Sequence, residues 1–346
     1  MAERLRIAVL GMAHDHLWTN LRQLAELDGA DLVAGADRDP DLLALFEERT
    51  GCQTVYEDYE TLLEAEKPDA VFGFTATAHH VDVVELCAPR GVHVMVEKPM
   101  AATLEQADRM LTAVRKAGTR LMVNWPTAWQ SSLRTAHRVV QEGQIGQLWQ
   151  ITWRGGHCGP DELGCSDAFC GFLFDKNLNG AGAFNDYSGY GSVVCMAFLG
   201  SPHTVVGMAG RLIKTHLPVD DNGAMLLRYP HALCRMEMTW TEAVAHKPPH
   251  DFVFYGTEGT MVVGREVTLY TRTHKEGASV ALDELPKGQS NGPEHFVACI
   301  REGSDAQWLA NLDISRGAQE IMEAGLLSAT SGIAVSLPVE DHLFRG

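Results

Sequence analysis

Short β-branched runs alternate with helical periodicity through the first third of this chain, and that rhythm restricts the fold more than any other feature. Strands are expected at residues 5–10, 30–36, 70–75, 93–97 and 120–124. Amphipathic helices are expected at about 16–27, 41–50, 80–88 and 104–117. Pro68 with Asp69, Gly91 and Gly118 punctuate the pattern, and Thr103 followed by Gln106 has the spacing of a capping box. Strands joined by helical crossovers form a parallel sheet covered on both faces, so the expected class is α/β with a doubly wound dinucleotide-binding domain.

At 346 residues the chain exceeds what one core usually supports. We therefore expect two domains, residues 1–124 and 125–346. Beyond Trp125-Pro126 the pattern changes to a helix near 129–141 and a strand near 148–154, followed by a Gly-, Cys- and Asn-rich stretch, 155–180, expected to be a loop or lid. A helix near 187–199 then precedes consecutive strand candidates at 205–210, 223–229, 232–241, 252–255, 260–263 and 267–270. Helices at 292–302 and 313–331 and a short extended run at 335–338 close the chain. Strands linked by short turns imply a second, α+β domain with a large, mostly antiparallel open sheet.

A net charge of −17 excludes nucleic acid and anionic membranes as expected partners, because both require clustered Lys and Arg. No apolar run approaches a membrane span, and the early strand leaves no room for a signal segment, so a cytoplasmic location is expected. Eight cysteines without a CxxC pair imply reduced thiols. His157, Cys158, Cys165 and Cys170 fit no zinc spacing, and the neighbours His79 and His80 would point about 100° apart on a helix, so no metal is expected.

The candidate chemistry gathers at strand ends. Gly11-Met12-Ala13-His14-Asp15-His16 follows the first strand, where a dinucleotide-binding turn belongs, with Ala13 and His16 in place of the second and third glycines. By itself it equally describes an ordinary βα turn. Asp37, ending the second strand, suits the hydroxyls of an adenosine ribose and favours NAD, whereas Arg38 beside it suits a 2′-phosphate and leaves NADP open. Thr75, Ala76 and His80 follow the strand at 70–75. Glu97-Lys98-Pro99 follows the strand at 93–97, which places a lysine at the carboxyl end of a parallel strand, where such sheets bind ligands. Asn124 and Trp125 end the last strand of this domain. Far along the chain, Asp186 and Tyr190 lie one helical turn apart. Asp186 also suits a helix cap and Tyr190 a core aromatic.

In order and spacing, the Gly11 turn, Asp37, Thr75 with His80, Glu97-Lys98-Pro99, the stretch from Gly180 to Asp186 and Tyr190, and Tyr255-Gly-Thr-Glu-Gly-Thr260 resemble the Gfo/Idh/MocA family of sugar and inositol dehydrogenases. The resemblance implies a Rossmann domain followed by a substrate domain, with Lys98, Asp186 and Tyr190 catalytic. Tyr190 stands where the family often has histidine. It implies cofactor contacts from Gly11, Met12, Ala13, His14, Asp37, Arg38, Thr75, Ala76, His80, Glu97 and Lys98. Substrate contacts are expected from Lys98, Asn124, Trp125, His157, Asp186 and Tyr190, the substrate being a sugar, inositol or related polyol. Hydride transfer from a secondary alcohol needs a proton acceptor and a group that polarises the oxygen, and a tyrosine beside an ammonium can supply the first. Two rival readings stay open. One is redox-neutral elimination through a keto-sugar, and the other is NAD(P) sensing without turnover. A homodimer or homotetramer formed through the second domain's sheet is expected.

Overall fold

The computed structural model describes residues 4–247 and 249–339. In chain order its first part runs β1 (Leu5–Leu10), α1 (Leu17–Ala25), β2 (Ala30–Ala36), α2 (Pro40–Thr50), β3 (Val55–Tyr56), α3 (Tyr59–Glu66), β4 (Ala70–Gly73), α4 (His80–Cys87), β5 (His93–Glu97), α5 (Leu104–Ala117) and β6 (Leu121–Asn124). The six strands pair in parallel in the order β3-β2-β1-β4-β5-β6. The order reverses beside β1, which marks the carboxyl edge there as a ligand-binding crevice. Ile7, Ala8, Val9 and Leu10 are fully buried, as a central parallel strand with both faces covered requires. Capping agrees with the sequence: Thr103 accepts a bond from the Gln106 amide at the start of α5, and Gly118 ends that helix with φ 70°. The Gln106 side chain returns to the Ala102 amide, one residue short of a reciprocal capping box. The elements β3 and α3 have no counterpart among the expectations, because a strand of two residues shows no period.

The chain continues through α6 (Ser131–Gln141), β7 (Leu148–Gly156), α7 (Asp167–Leu173), α8 (Lys176–Asn179), α9 (Ala183–Leu199), β8 (Thr204–Gly210), β9 (Asn222–Arg228), β10 (Leu233–Thr239), β11 (Phe252–Gly256), β12 (Gly259–Val263), β13 (Val267–Thr271), β14 (Ala278–Val280), α10 (Gly292–Glu302), α11 (Leu312–Ser331) and β15 (Val335–Ser336). Nine strands form one sheet in the order β14-β13-β12-β11-β7-β10-β9-β8-β15, antiparallel throughout except for the parallel pair β7 and β10. Met225 and Leu227, Ile151 and Trp153, and Cys234, Met236 and Met238 alternate inward with more exposed neighbours, the signature of a sheet with one covered face.

The chain divides into two compact units. The chain up to Pro126, with Cys165–Gly180 and Pro286–Arg316, forms the first; Thr127–Gly164, Ala181–Leu285 and the chain from Gly317 form the second. The stretch expected to be irregular thus contains two helices, α7 and α8, which pack with the parallel sheet's unit. The amide and hydroxyl of Ser166 donate to the Asp15 carboxylate at 2.8 and 2.6 Å, fastening the start of α7 to the turn after β1. Among the described residues no helix is long and apolar enough to cross a membrane.

Candidate active site

In the first unit, the candidate residues converge on one edge of the parallel sheet. Gly11 follows β1 with φ +79°, and a Cβ there would come within 2.3 Å of Thr75 Cγ2, so the close approach of this turn to the end of β4 requires glycine. The Gly11 amide donates to Ala36 O and the His14 amide to Phe74 O, lacing the turn to both neighbouring strands. Asp37 accepts from the Met12 amide at 2.6 Å and from the Asp39 amide at 2.9 Å. Burial raises the Asp37 pKa against the lowering effect of these bonds. Each of its oxygens still has a second lone pair, so the carboxylate can also accept ribose hydroxyls. The Met12 side chain is buried, while Arg38 is exposed beside Asp37. A glycine held tightly against Thr75, with an acceptor at the end of the adjacent strand, fits a dinucleotide.

The end of β5 carries a buried polar network. Glu97 Oε2 lies 3.0 Å from His16 Nδ1 and accepts from the Lys98 amide at 3.3 Å; Oε1 accepts from Asn124 Nδ2 at 2.7 Å and Asn20 Nδ2 at 3.4 Å. Burial pushes Glu97 upward, but the facing His16, the Asn124 bond and the Lys98 charge outweigh it and hold the carboxyl below its ordinary pKa. Lys98 itself is 5% exposed, and its bond to Pro99 is cis. The His16 amide donates to His14 Nδ1, and burial, followed by the charges of His16, Lys98 and His80, holds His14 well below its ordinary pKa. Donor atoms of His14, His16 and Glu97 lie within 4.8 Å of one another, so the residue in the third glycine position is a working member of this network. His80 donates from Nδ1 to Met100 O, and burial lowers its pKa to about 4. Asn124 also bonds Asn20, and the Trp125 indole donates to Ser315, so these two expected substrate contacts are engaged by groups of the first unit. Sequence reading missed Asn20 and His16; their separation of four on α1's first turn, opposite a strand-end glutamate, was the available signal.

In the second unit, β7 ends at Gly156 and His157 follows. Its amide donates to Thr239 O, and its carbonyl accepts from the Glu242 amide. Asp186 and Tyr190 lie on successive turns of α9, which starts earlier than expected, at Ala183. Asp186 does not cap this helix. Asp220 does so from the β8–β9 connection, accepting from the Gly182 and Phe184 amides at 2.8 and 2.7 Å. The Asp186 carboxylate accepts from Trp240 Nε1 at 3.0 Å and lies 3.8 Å from His157 Nε2. Tyr190 is half-buried, with its ring 5.7 Å from Tyr187 and 6.1 Å from Trp153, and Tyr187 meets the edge of His157 at 5.3 Å. Trp240 was also missed; a lone indole just after a strand has no sequence pattern.

Residues 5–125 match the family described as an oxidoreductase family with an NAD-binding Rossmann fold, and residues 133–262 match the Gfo/Idh/MocA C-terminal domain. Over 345 residues the chain is 26% identical to D-apiose dehydrogenase of Paraburkholderia graminis, covering 94% of this chain and 86% of that protein. It is 27% identical to the dTDP-3,4-didehydro-2,6-dideoxy-alpha-D-glucose 3-reductase of Streptomyces antibioticus, covering 87% and 90%. The aldose-aldose oxidoreductase of Caulobacter crescentus, solved with glycerol, has the same fold, with a TM-score of 0.81 at 21% identity over 97% of this chain and 100% of that one. With both characteristic domains matched in order, and the glycine turn, Asp37 and Glu97-Lys98-Pro99 all at the carboxyl edge of the parallel sheet, the chain belongs to the Gfo/Idh/MocA oxidoreductase family.

Proposed function

We propose that this protein is an NAD(P)-dependent dehydrogenase acting on a secondary hydroxyl of a sugar, inositol or related polyol. The observation that carries the reading is Lys98, a buried cation at the carboxyl end of β5 on the dinucleotide edge of the parallel sheet. Relatives that act on apiose and on a dideoxy-glucose nucleotide support the substrate class. The nicotinamide ring, when bound, supplies the hydride acceptor or donor. The chain's own residues divide the remaining work. Lys98 holds the substrate oxygen and stabilises negative charge as the hydroxyl proton leaves. Tyr190 exchanges that proton; a phenol of ordinary pKa near ~10 needs a neighbouring cation for this task. Asp186 orients the substrate. Gly11, the backbone of Met12, Ala13 and His14, and Asp37, Thr75, Ala76 and His80 hold or support the dinucleotide, with Asp37 favouring NAD. The uncovered face of the nine-stranded sheet joins copies of the chain into a homodimer or homotetramer.

The direct test is Lys98→Ala assayed against a polyol and sugar library with NAD and NADP. Polyol-dependent formation of reduced nicotinamide should fall by at least about 10³-fold, in the range reported for losing a preorganised charge-stabilising donor. Dinucleotide affinity, read by fluorescence of the reduced ring, should change little. Turnover that survives this substitution sinks the assignment.

A further inference from the structure

We infer that the segment Cys165–Gly180 is a strap across the crevice where the sheet order reverses, and that opening of its two pins sets the rate at which a dinucleotide enters and leaves. This goes beyond the dehydrogenase reading above but rests on its assignment of the dinucleotide to the turn after β1. The order reverses between β1 and β4, and each of these strands is followed by a turn that holds one end of the segment. At the start of α7 the Asp15 carboxylate accepts from the Ser166 amide at 2.8 Å and from its hydroxyl at 2.6 Å. At the end of α8 the Thr77 hydroxyl donates to Asn179 Oδ1 at 2.9 Å, and both side chains are buried. Between the pins, the rings of Phe169 and His14 meet at a steep angle with centroids 4.6 Å apart, and Phe172 lies 5.9 Å from the same histidine. The first pin ends on a carboxylate, and bonds of that kind are about twice as strong as those between neutral groups.

Neither helix holds this segment in place by itself. They have seven and four residues, well short of the roughly 12–15 that a helix needs to persist alone in water. Positive-φ glycines bound the segment, Gly164 at φ +77° and Gly180 at φ +85°, a backbone freedom that suits hinges. Its order therefore comes from the pins and the two phenylalanines, and a unit held in this way opens without global unfolding. Ser166 couples the first pin to the helix behind it. The hydroxyl that donates to Asp15 also accepts from the Phe169 amide at 3.2 Å, so latch and N-cap share one oxygen. Both pins are made by the chain's own groups, so they hold the strap in the free and the loaded protein alike. A gate closed equally in both states slows entry and exit by the same factor and leaves the affinity unchanged. A wall that only touches the ligand slows exit alone.

The test follows NADH fluorescence in a stopped-flow instrument, on mixing with the protein and on chasing with excess NAD. Ser166→Ala should raise both the association and the dissociation rate constants by at least about tenfold, the worth of a hydrogen bond to a charged group. Thr77→Val, which removes the second pin with a side chain of similar shape, should raise both by about threefold. In each variant Kd should stay within about twofold of the natural chain's. Rates unchanged in both variants overturn the gate, and so does faster exit with unchanged entry. A second measurement needs no dinucleotide. Amide hydrogen exchange across residues 167–179 should be at least about tenfold faster in Ser166→Ala and faster also in Thr77→Val, with β1 and α5 unaltered. Unchanged exchange in the segment overturns the strap, as does an equal rise in β1 and α5, which would report general destabilisation. If NADH does not bind the natural chain, the proposed function fails, and hydrogen exchange alone decides whether the segment is a pinned strap.

Discussion

At the scale of single residues, the carboxyl edge of the parallel sheet carries groups whose protonation is set by burial and by their immediate neighbours. His80 is fully buried with a pKa lowered to about 4, chiefly by desolvation, from an ordinary value of 6.5. In the unfolded chain it titrates near 6.5, so between that pH and about 4 the unfolded state binds a proton that the folded state refuses. The stability this represents is present above pH 6.5 and is lost as the pH falls toward 4. The full difference corresponds to about 3 kcal/mol. His14 is shifted in the same direction. Urea unfolding at pH 7 and pH 4.5 should therefore show a steep acid loss. His80→Gln, which can still donate to Met100 O, should reduce that loss by about 2 kcal/mol. An undiminished loss in the variant would mean that His80 is not held neutral. Glu97 works in the same sense lower on the pH scale: its depressed pKa contributes stability above the ordinary carboxylate range that disappears as the pH falls through the folded value.

At the scale of elements, α9 matters most, because Asp186 and Tyr190 sit in its first two turns. Its N-terminus has no cap from its own sequence and depends on Asp220, whose two bonds satisfy the Gly182 and Phe184 amides. Asp220→Ala should cost about 2 kcal/mol of stability in urea unfolding and lower kcat through the misplaced first turn, whereas Asp186→Asn should lower kcat with little loss of stability. Equal stability losses in the two variants would show that Asp186 serves the fold. This dependence was not legible in the sequence. Asp220 lies more than thirty positions from the helix it caps, and no local pattern joins them. Most elements with enough residues to display a period were legible, from β1 and β5 to α5 and the strands of the second sheet, although α3 was not, and Gly11, Asp37 and Lys98 each follow the carboxyl end of a parallel strand as the carboxyl-edge rule expects. The helices α7 and α8 were not, since runs of seven and four residues carry no measurable period. The partner of Asp186, Trp240, was invisible for the same reason as Asp220, being set by tertiary packing, whereas His16 and Asn20 beside Glu97 had only their spacing of four to signal them.

At the scale of the whole molecule, the open question posed by the fold is what covers the outer face of the nine-stranded sheet. Helix α9 packs against β7, β9 and β10, and α6 against β12 and β13. The side chains that alternate away from the buried set include Val206 paired across from Leu226, with Met208 and Leu233 beside them. Met208 is 72% exposed, and Val206, Leu226 and Leu233 are 40 to 44% exposed. Exposed apolar side chains on three adjacent strands, with Arg235 across from Leu226 and Arg228 across from Leu233, give the mixed apolar and charged face expected of an interface between chains. The chain's net charge of −17 opposes self-association through long-range repulsion, so an interface has to draw its stability from buried apolar area. Two charged substitutions in that face should therefore be decisive. Met208→Asp with Leu226→Asp introduces four like charges into a two-fold contact, and desolvating them costs several kcal/mol. Sedimentation velocity at micromolar concentration should show a dimer or tetramer for the natural chain and a monomer for the double variant, with dinucleotide binding retained because the Rossmann edge belongs to the other unit. Raising the salt concentration should strengthen association of the natural chain by screening its net charge. A natural chain that sediments as a monomer across this range would remove the sheet face as an interface.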